Sequence, residues 1–379
     1  MSVTAPGGFR AAGISAGIKG ADRLDLAVVF AEDGPVPAAG VFTQNRAAAA
    51  PVLLSRRRLA GGRARAVLLN SGCANAATGD RGWKAAEATT GAVAAALGAF
   101  ATEVLAMSTG PIGSYLDSDG VISRVPELVD RASKEGGENA AEAILTTDSR
   151  AKTVVVNGEG FTVGGMAKGA AMLRPDMATM LCVLTTDAAT ETSVLQRILT
   201  DSVTTTFNSL NVDGCESTND SVVFLASGRA GRIPESDLGQ AVAKACAALA
   251  VEMAADAEGA SKTVRILITG AENDSLARQV GRAISDSALV RASFYGADPN
   301  WGRILAAAGT CPVDVAQVSI SYQSVPVFRR GAPVERFELE GLLDADFVVQ
   351  VDIGTGTGRA EIITTDLTPE YVRFNGERS

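Results

Sequence analysis

Not one of the 379 residues is a histidine. That absence removes Ser-His-Asp and Cys-His catalysis together with the commonest metal ligand. A catalyst made from this chain must take its base from a carboxylate, a lysine or an α-amino group. Long apolar runs are missing too. No stretch of 18 or more consecutive apolar residues occurs, which argues against a membrane span. The opening "MSVTAPGGFRAAGISAG" lacks the unbroken apolar core of a signal peptide, so a cytoplasmic location is expected. Cysteine is sparse: Cys73, Cys182, Cys215, Cys246 and Cys311 are odd in number, far apart and never in CxxC spacing. This excludes a disulfide framework and a zinc knuckle and suggests small buried residues in a reducing compartment. No basic run exceeds Arg56-Arg57-Arg58, and the net charge is −9. Nucleic acid is therefore not an expected partner. The balance points to small molecules as partners.

What is present is a chain that is 46% hydrophobic with 40 glycines, enough for two domains or for one large domain with an appendage. "LDLAVVFA", "RAVLLN", "TEVLAMS", "TVVVN", "MLCVLTTD", "SVVFLAS", "TVRILITG" and "FVVQVDI" read as strands. "WKAAEATTGAVAAALGAF", "VPELVDRASKEGGENAAEAIL", "TSVLQRILTDSVTTTF", "ESDLGQAVAKACAALAVEMAADAEG" and "NDSLARQVGRAISDSALV" read as helices. Strands often follow one another directly, which favours a mixed α/β sandwich over a doubly wound parallel sheet. A weak break at Ile268–Asp274 divides the chain into expected domains 1–270 and 271–379.

Three stretches invite a chemical reading. "DIGTGTGRAEI" (352–362) is rich in glycine like a phosphate loop, but a strand-like "AEIITTD" follows where a helix is required; a hairpin turn fits better. "AMSTGPIG" (106–113) ends a strand with Thr109, which carries a hydroxyl, and Gly110, which offers an unobstructed N–H. It is either an ordinary turn or a pair of donors for a developing oxyanion. In "VGGMAKGAAMLRPDMATML", Lys168 lies between small residues, and Thr179 heads an apolar strand-like run. Taken by pattern alone, Thr179 reads as a strand residue.

The string "MAKGAAMLRPDMATML" resembles the cleavage segment of the ornithine acetyltransferase family, the bifunctional arginine-biosynthesis enzymes called ArgJ. "NSGCANAATGD" (70–80), "STGPIG" (108–113), "AILTTDSRAK" (143–152), "FNSLNVDGCESTND" (207–220), "DAEGASK" (256–262), "GADPNWGRI" (296–304) and "YVRFN" (371–375) resemble the family's other motifs in the same order. The resemblance implies an αββα sandwich with a smaller C-terminal α/β domain. It implies that the precursor cuts itself between Ala178 and Thr179 into chains 1–178 and 179–379, which stay together as an α2β2 heterotetramer. The freed α-amino group of Thr179 would then serve as base to its own hydroxyl, since such a group titrates near 7.7–8.0. Acetylornithine would acetylate Thr179, and glutamate would take the acetyl group in a ping-pong exchange that the resemblance implies needs no cofactor and no metal. Thr109 and Gly110 match the family's oxyanion pair. Thr146, Lys168, Thr179, Glu258 and Asn375 match its substrate-binding positions, with Lys168 suited to a carboxylate and Glu258 to an ammonium group. Ser379 is a loose match, because the chain ends "NGERS" and is one residue short of the family pattern. Cys73 and the Cys215-Glu216 pair also depart from that pattern. These departures, in motifs expected to face the site, leave open a paralogue that uses another amino acid or acyl group.

Overall fold

The computed structural model describes residues 2–20, 22–171 and 180–377. Its chain divides into two compact units: Met1–Asn208 with Cys215–Met253, and Ser209–Gly214 with Ala254–Ser379.

The first unit holds two sheets. Strands β1 (Phe9–Ile14), β2 (Leu26–Ala31), β5 (Ala66–Ser71) and β6 (Val104–Thr109) form one, in the order β1-β2-β5-β6. The other has the order β4-β3-β11-β9-β8-β7. It comprises β4 (Arg63–Ala64), β3 (Val36–Phe42), β11 (Ser221–Arg232), β9 (Leu181–Ala189), β8 (Thr162–Lys168) and β7 (Lys152–Asn157). Alternation along β2 explains the layering. Ala27, Val29 and Ala31 join a core that reaches Met166, Val183 and Val223 of the larger sheet. Leu26, Val28 and Phe30 face the opposite way, toward helices α2 (Gly79–Leu97) and α3 (Ser118–Asp130). A strand buried on both faces must be apolar throughout, and β2 is.

Helices α5 (Thr192–Thr205) and α6 (Glu235–Ala255) cover the outer face of the larger sheet. The Gln196 amide on α5 bonds the backbone of Gly40 on β3. On α6, Cys246 faces Cys182 of β9, and burial pushes both thiols up. Helix, sheet, sheet, helix is the expected αββα order. Among the described residues α6 alone is long and apolar enough to cross a membrane, a property that counting unbroken apolar runs overlooks. Its buried Leu238, Val242, Cys246, Leu249 and Met253 recur every three or four residues and form one face. That pattern marks a core helix.

Three expectations change. "VPELVDRASKEGGENAAEAIL" is not one helix, because α3 stops at Asp130 and α4 spans Gly137–Ala143. Between them Ser133 pairs with Ala11, and a Cβ on Gly136 would lie 1.8 Å from the Ala11 carbonyl oxygen. The second unit also begins well before residue 271. Strand β12 (Thr263–Ala271) pairs with β16 (Phe347–Asp352) and β17 (Gly358–Thr365), so the break at "ITGAEND" is the end of a central strand and not a domain boundary.

The second unit has one sheet, ordered β10-β17-β12-β16-β13-β14-β15. Its remaining strands are β10 (Leu210–Asn211), β13 (Ser319–Tyr322), β14 (Val325–Arg329) and β15 (Ala332–Pro333). Helices α7 (Asp274–Asp286), α8 (Ala288–Tyr295) and α9 (Trp301–Ala308) pack on it, and α10 (Pro369–Gly376) follows β17. The remaining helix, α1 (Ala50–Leu59), belongs to the first unit. The glycine-rich 352–358 stretch is not a hairpin either. It joins β16 to β17, which lie on opposite sides of β12, so it passes over the end of that strand. The N–H groups of Thr355 and Gly356 both donate to the Gly270 carbonyl at 2.7 and 2.8 Å; these donors serve the fold. Gly270 has φ +68°, and a Cβ there would sit 2.1 Å from Asp352 Oδ1. Gly270→Ala combines a disfavoured φ with a clash and should cost about 1–3 kcal/mol. Chemical denaturation would show this as a lowered midpoint; an unchanged midpoint would remove Gly270 as the hinge of this crossing.

Candidate active site

Strand pairing assembles the site. Lys168, the last residue of β8, lies opposite Leu181 at the head of β9, and Leu181 lies beside Ser221 at the head of β11. Thr109 ends β6 in the facing sheet. The Lys168 ammonium reaches across to Thr109 Oγ1 at 3.4 Å, and both residues are 2% exposed. A hydroxyl that accepts from a lysine keeps its own hydrogen for another acceptor. Thr109 is thus held as a donor.

Gly110 follows at φ +140°, and a Cβ there would meet the Cys73 nitrogen at 2.4 Å. Only glycine permits this approach. The turn is braced from three directions. Cys73 N–H donates to the Thr109 carbonyl (3.1 Å), Asn70 Nδ2 to the Cys73 carbonyl (2.9 Å), and Ser108 Oγ to Asn70 Oδ1 (2.5 Å). Asn219 Nδ2 donates to both the Ala74 and Ser108 carbonyls, at 2.7 and 2.8 Å. Asn70, Ser108 and Asn219 are polar residues that sequence reading did not single out, although all three lie inside the quoted motifs.

A buried charge cluster backs Lys168. Asp148 Oδ1 accepts from Lys152 Nζ at 2.8 Å and from the Gly169 N–H at 2.7 Å. Its Oδ2 accepts from the Thr146 N–H at 3.2 Å and lies 3.7 Å from Lys168 Nζ. The side chains of Asp148 and Lys152 are wholly buried. Burial alone would raise the Asp148 pKa. The charges of Lys168 and Lys152, with the Lys152 and Gly169 hydrogen bonds, outweigh it and hold the carboxyl well below the usual carboxylate range. Thr109, Thr146 and Lys168, three expected site residues, thus share one network. Asp148 links them, and sequence reading passed over it.

Asp220, just before β11, behaves in the opposite way. Its Oδ1 accepts the Met180 N–H at 2.9 Å. Burial pushes its carboxyl well above the usual range, against the pull of that N–H, the nearby Ser217 hydroxyl and the Lys168 charge.

In the second unit, Glu258 is 8% exposed, on a loop pinned to the start of α10. Thr368 Oγ1 donates to the Gly259 carbonyl, and Asp366 Oδ1 accepts the N–H groups of Ser261 and Lys262. Asn375 lies exposed on α10, its amide donating to the Tyr371 carbonyl at 3.0 Å. Ala178, Thr179 and Ser379 lie outside the described residues. Of the departures from the family pattern, Cys73 turns away from Thr109: its side chain packs among Ile14, Val93 and Leu116 and donates to the Ser114 carbonyl. Cys215 is exposed. The motif that holds Cys73 does run beside Thr109, but the Cys73 side chain belongs to a core cluster.

Asp148 yields a pH test. Its folded-state pKa is depressed, so its stabilisation is present above the unfolded value of about 3.9 and is lost as pH falls below it. Asp148→Asn leaves two buried ammonium groups without their anion and should cost about 3–5 kcal/mol at neutral pH. The gap from wild type should close as pH falls below about 4. A gap independent of pH in denaturation curves would contradict the charge account.

The sequence profile of the ArgJ family matches residues 10–379. The "Arginine biosynthesis bifunctional protein ArgJ" of Mycobacterium bovis is 46% identical over 391 aligned positions, covering 100% of this chain and 96% of that protein. The protein of the same name from Thermobifida fusca is 45% identical, with 100% of both covered. Among solved structures, an ornithine acetyltransferase from Mycobacterium tuberculosis complexed with ornithine is 48% identical over 48% of this chain and 96% of that one, with a TM-score of 0.45. With its full length aligned to such relatives, this chain belongs to the ArgJ family.

Proposed function

We propose that this protein is an ornithine acetyltransferase, moving the acetyl group of N2-acetyl-L-ornithine to L-glutamate through an acetyl ester on Thr179. The nucleophile arises when the chain cuts itself at Ala178-Thr179: the hydroxyl attacks the preceding carbonyl, the acyl group shifts from nitrogen to oxygen, and water releases the ester. The two chains 1–178 and 179–379 remain associated, in an α2β2 assembly. The observation that carries the reading is the Thr109–Lys168 contact, buried and backed by Asp148. A chain without histidine needs preorganised donors for a tetrahedral oxyanion, and the Thr109 hydroxyl with the Gly110 N–H answers that need where water is excluded.

In the first half-reaction the Thr179 oxygen attacks the acetyl carbonyl and its proton passes to the Thr179 amine. Collapse of the oxyanion expels the ornithine amine, which takes that proton. The glutamate amine then attacks the ester, and the same steps run in reverse. Lys168 serves twice, by fixing the Thr109 hydroxyl and as the cation that receives a substrate carboxylate. Glu258 faces the substrate ammonium group; Thr146 and Asn375 complete the binding set. The Cys73 departure gives little support to a paralogue acting on another amino acid, because its side chain belongs to a core cluster.

Intact mass of denatured wild type should show two chains, and Thr179→Ala should give one uncut, inactive species of 38.7 kDa. Active wild type in one piece would end the reading. Thr109→Val keeps the branched shape and deletes the donor. It should lower kcat about 10²- to 10³-fold with KM little changed. A variant that raised only KM would move Thr109 from the oxyanion to substrate binding.

A further inference from the structure

Lys19 is a cation beside this site that neither the mechanism nor the sequence motifs use. It lies on the loop between β1 and β2, whose course is set by Asp25. That wholly buried carboxyl accepts the Ala16 N–H at 2.6 Å and the Lys19 N–H at 2.9 Å. The Lys19 stem then runs over Gly72, where φ is +97° and a Cβ would meet Lys19 Cγ at 2.7 Å. Gly72 is also the residue that Gly110 passes against. At its far end the Lys19 ammonium donates to the Leu145 carbonyl at 2.9 Å. Leu145 precedes Thr146, whose N–H is bonded to Asp148, the anion of Lys168. Lys19 thus reaches from Gly72, beside the Gly110 turn, to Leu145, beside Thr146.

The two lysines differ in what their surroundings allow. Lys168 is buried and tied to Asp148 and Thr109. Lys19 is half-buried, and among the described residues its ammonium makes one hydrogen bond and no ion pair. An ammonium group has three donors, so two are left for a ligand or for water. The charged groups facing it are Arg23 and Asp25 on its own loop, Glu142 on α4 and Lys168 on β8. Burial, Arg23 and Lys168 lower its pKa against the pull of Asp25 and Glu142. A lysine starts near 10.4, so about three units separate it from neutrality.

The chemistry of the proposed exchange asks for such a cation. Donor and acceptor both carry an α-carboxylate, but their side chains end in opposite charges, an ammonium on ornithine and a carboxylate on glutamate. A fixed, buried cation for that second carboxylate would repel the ornithine side chain. A lysine on a flexible stem, partly in water, meets an anion and turns from a cation at little cost. We infer that Lys19 is a specificity-determining residue for the acceptor: on the function proposed above, its ammonium receives the side-chain carboxylate of glutamate, while Lys168 takes the carboxylate that both substrates share.

Lys19→Met keeps the stem over Gly72 and deletes the charge. In a ping-pong exchange kcat/KM for each substrate reports its own half-reaction, so the two can be read apart in the full-length protein. The value for glutamate should fall about 10- to 100-fold, and that for acetylornithine should change far less. The preference for glutamate over glutamine, which has the same shape without the charge, should shrink by a similar factor. Lys19→Arg should recover most of it. Equal losses for both substrates, or an unmoved preference between glutamate and glutamine, overturn the inference. Should Lys19→Met fail to fold, labelling of wild-type lysines with acetic anhydride, mapped by peptide mass, decides. Glutamate should shield Lys19 and glutamine should not; equal labelling with both overturns the assignment. Wild type that moves no acetyl group from acetylornithine, yet shields Lys19 with glutamate, defeats the function proposed above and leaves Lys19 as the carboxylate site.

Discussion

The buried ammonium of Lys168 is what the architecture of the first unit is arranged to hold. A charge between two sheets is costly unless it is paired and hydrogen-bonded. Asp148 supplies the anion, Lys152 and two backbone N–H groups keep Asp148 ionised, and Thr109 receives the lysine on its other side. None of these partners is movable alone. Lys168 is fixed by the register of β8 against β9, and Thr109 by the end of β6.

Two carboxyls beside the same lysine are driven in opposite directions. Asp148 collects four favourable partners that hold its carboxyl below the usual range; at Asp220 burial outweighs the Met180 N–H, the Ser217 hydroxyl and the Lys168 charge. Environment and not residue type sets the direction of each shift.

The backbone around the Thr109-Gly110 turn is shaped by close approach. Gly110 passes against Gly72 and Cys73 where no side chain fits, and Asn219 ties the same turn to the loop before β11. Such bracing fixes the Thr109 hydroxyl and the Gly110 backbone in one arrangement, as the oxyanion role proposed for them requires. In the second unit the glycines of 352–358 do a different task, carrying the chain over the end of β12.

Much of this was legible in the linear chain. Period-two alternation gave the principal strands, three-to-four spacing gave the long helices, the absent histidine narrowed the base to a carboxylate, a lysine or an amine, and the motif order carried the family resemblance that singled out Thr109, Gly110, Thr146 and Lys168. These signals survive because they depend on neighbours close in sequence. The remainder required the folded chain, because its causes are distant partners. Asn219 and Ala74 are 145 positions apart, and Thr109 and Lys168 are 59 apart. Strand order turned an expected hairpin into a crossover, a close contact with Ala11 split one helix in two, and the packing of the helices drew Cys73 into the core. Asp148 and Asp220 read identically in sequence; only the surroundings that tertiary structure brings to each decide the direction of its shift.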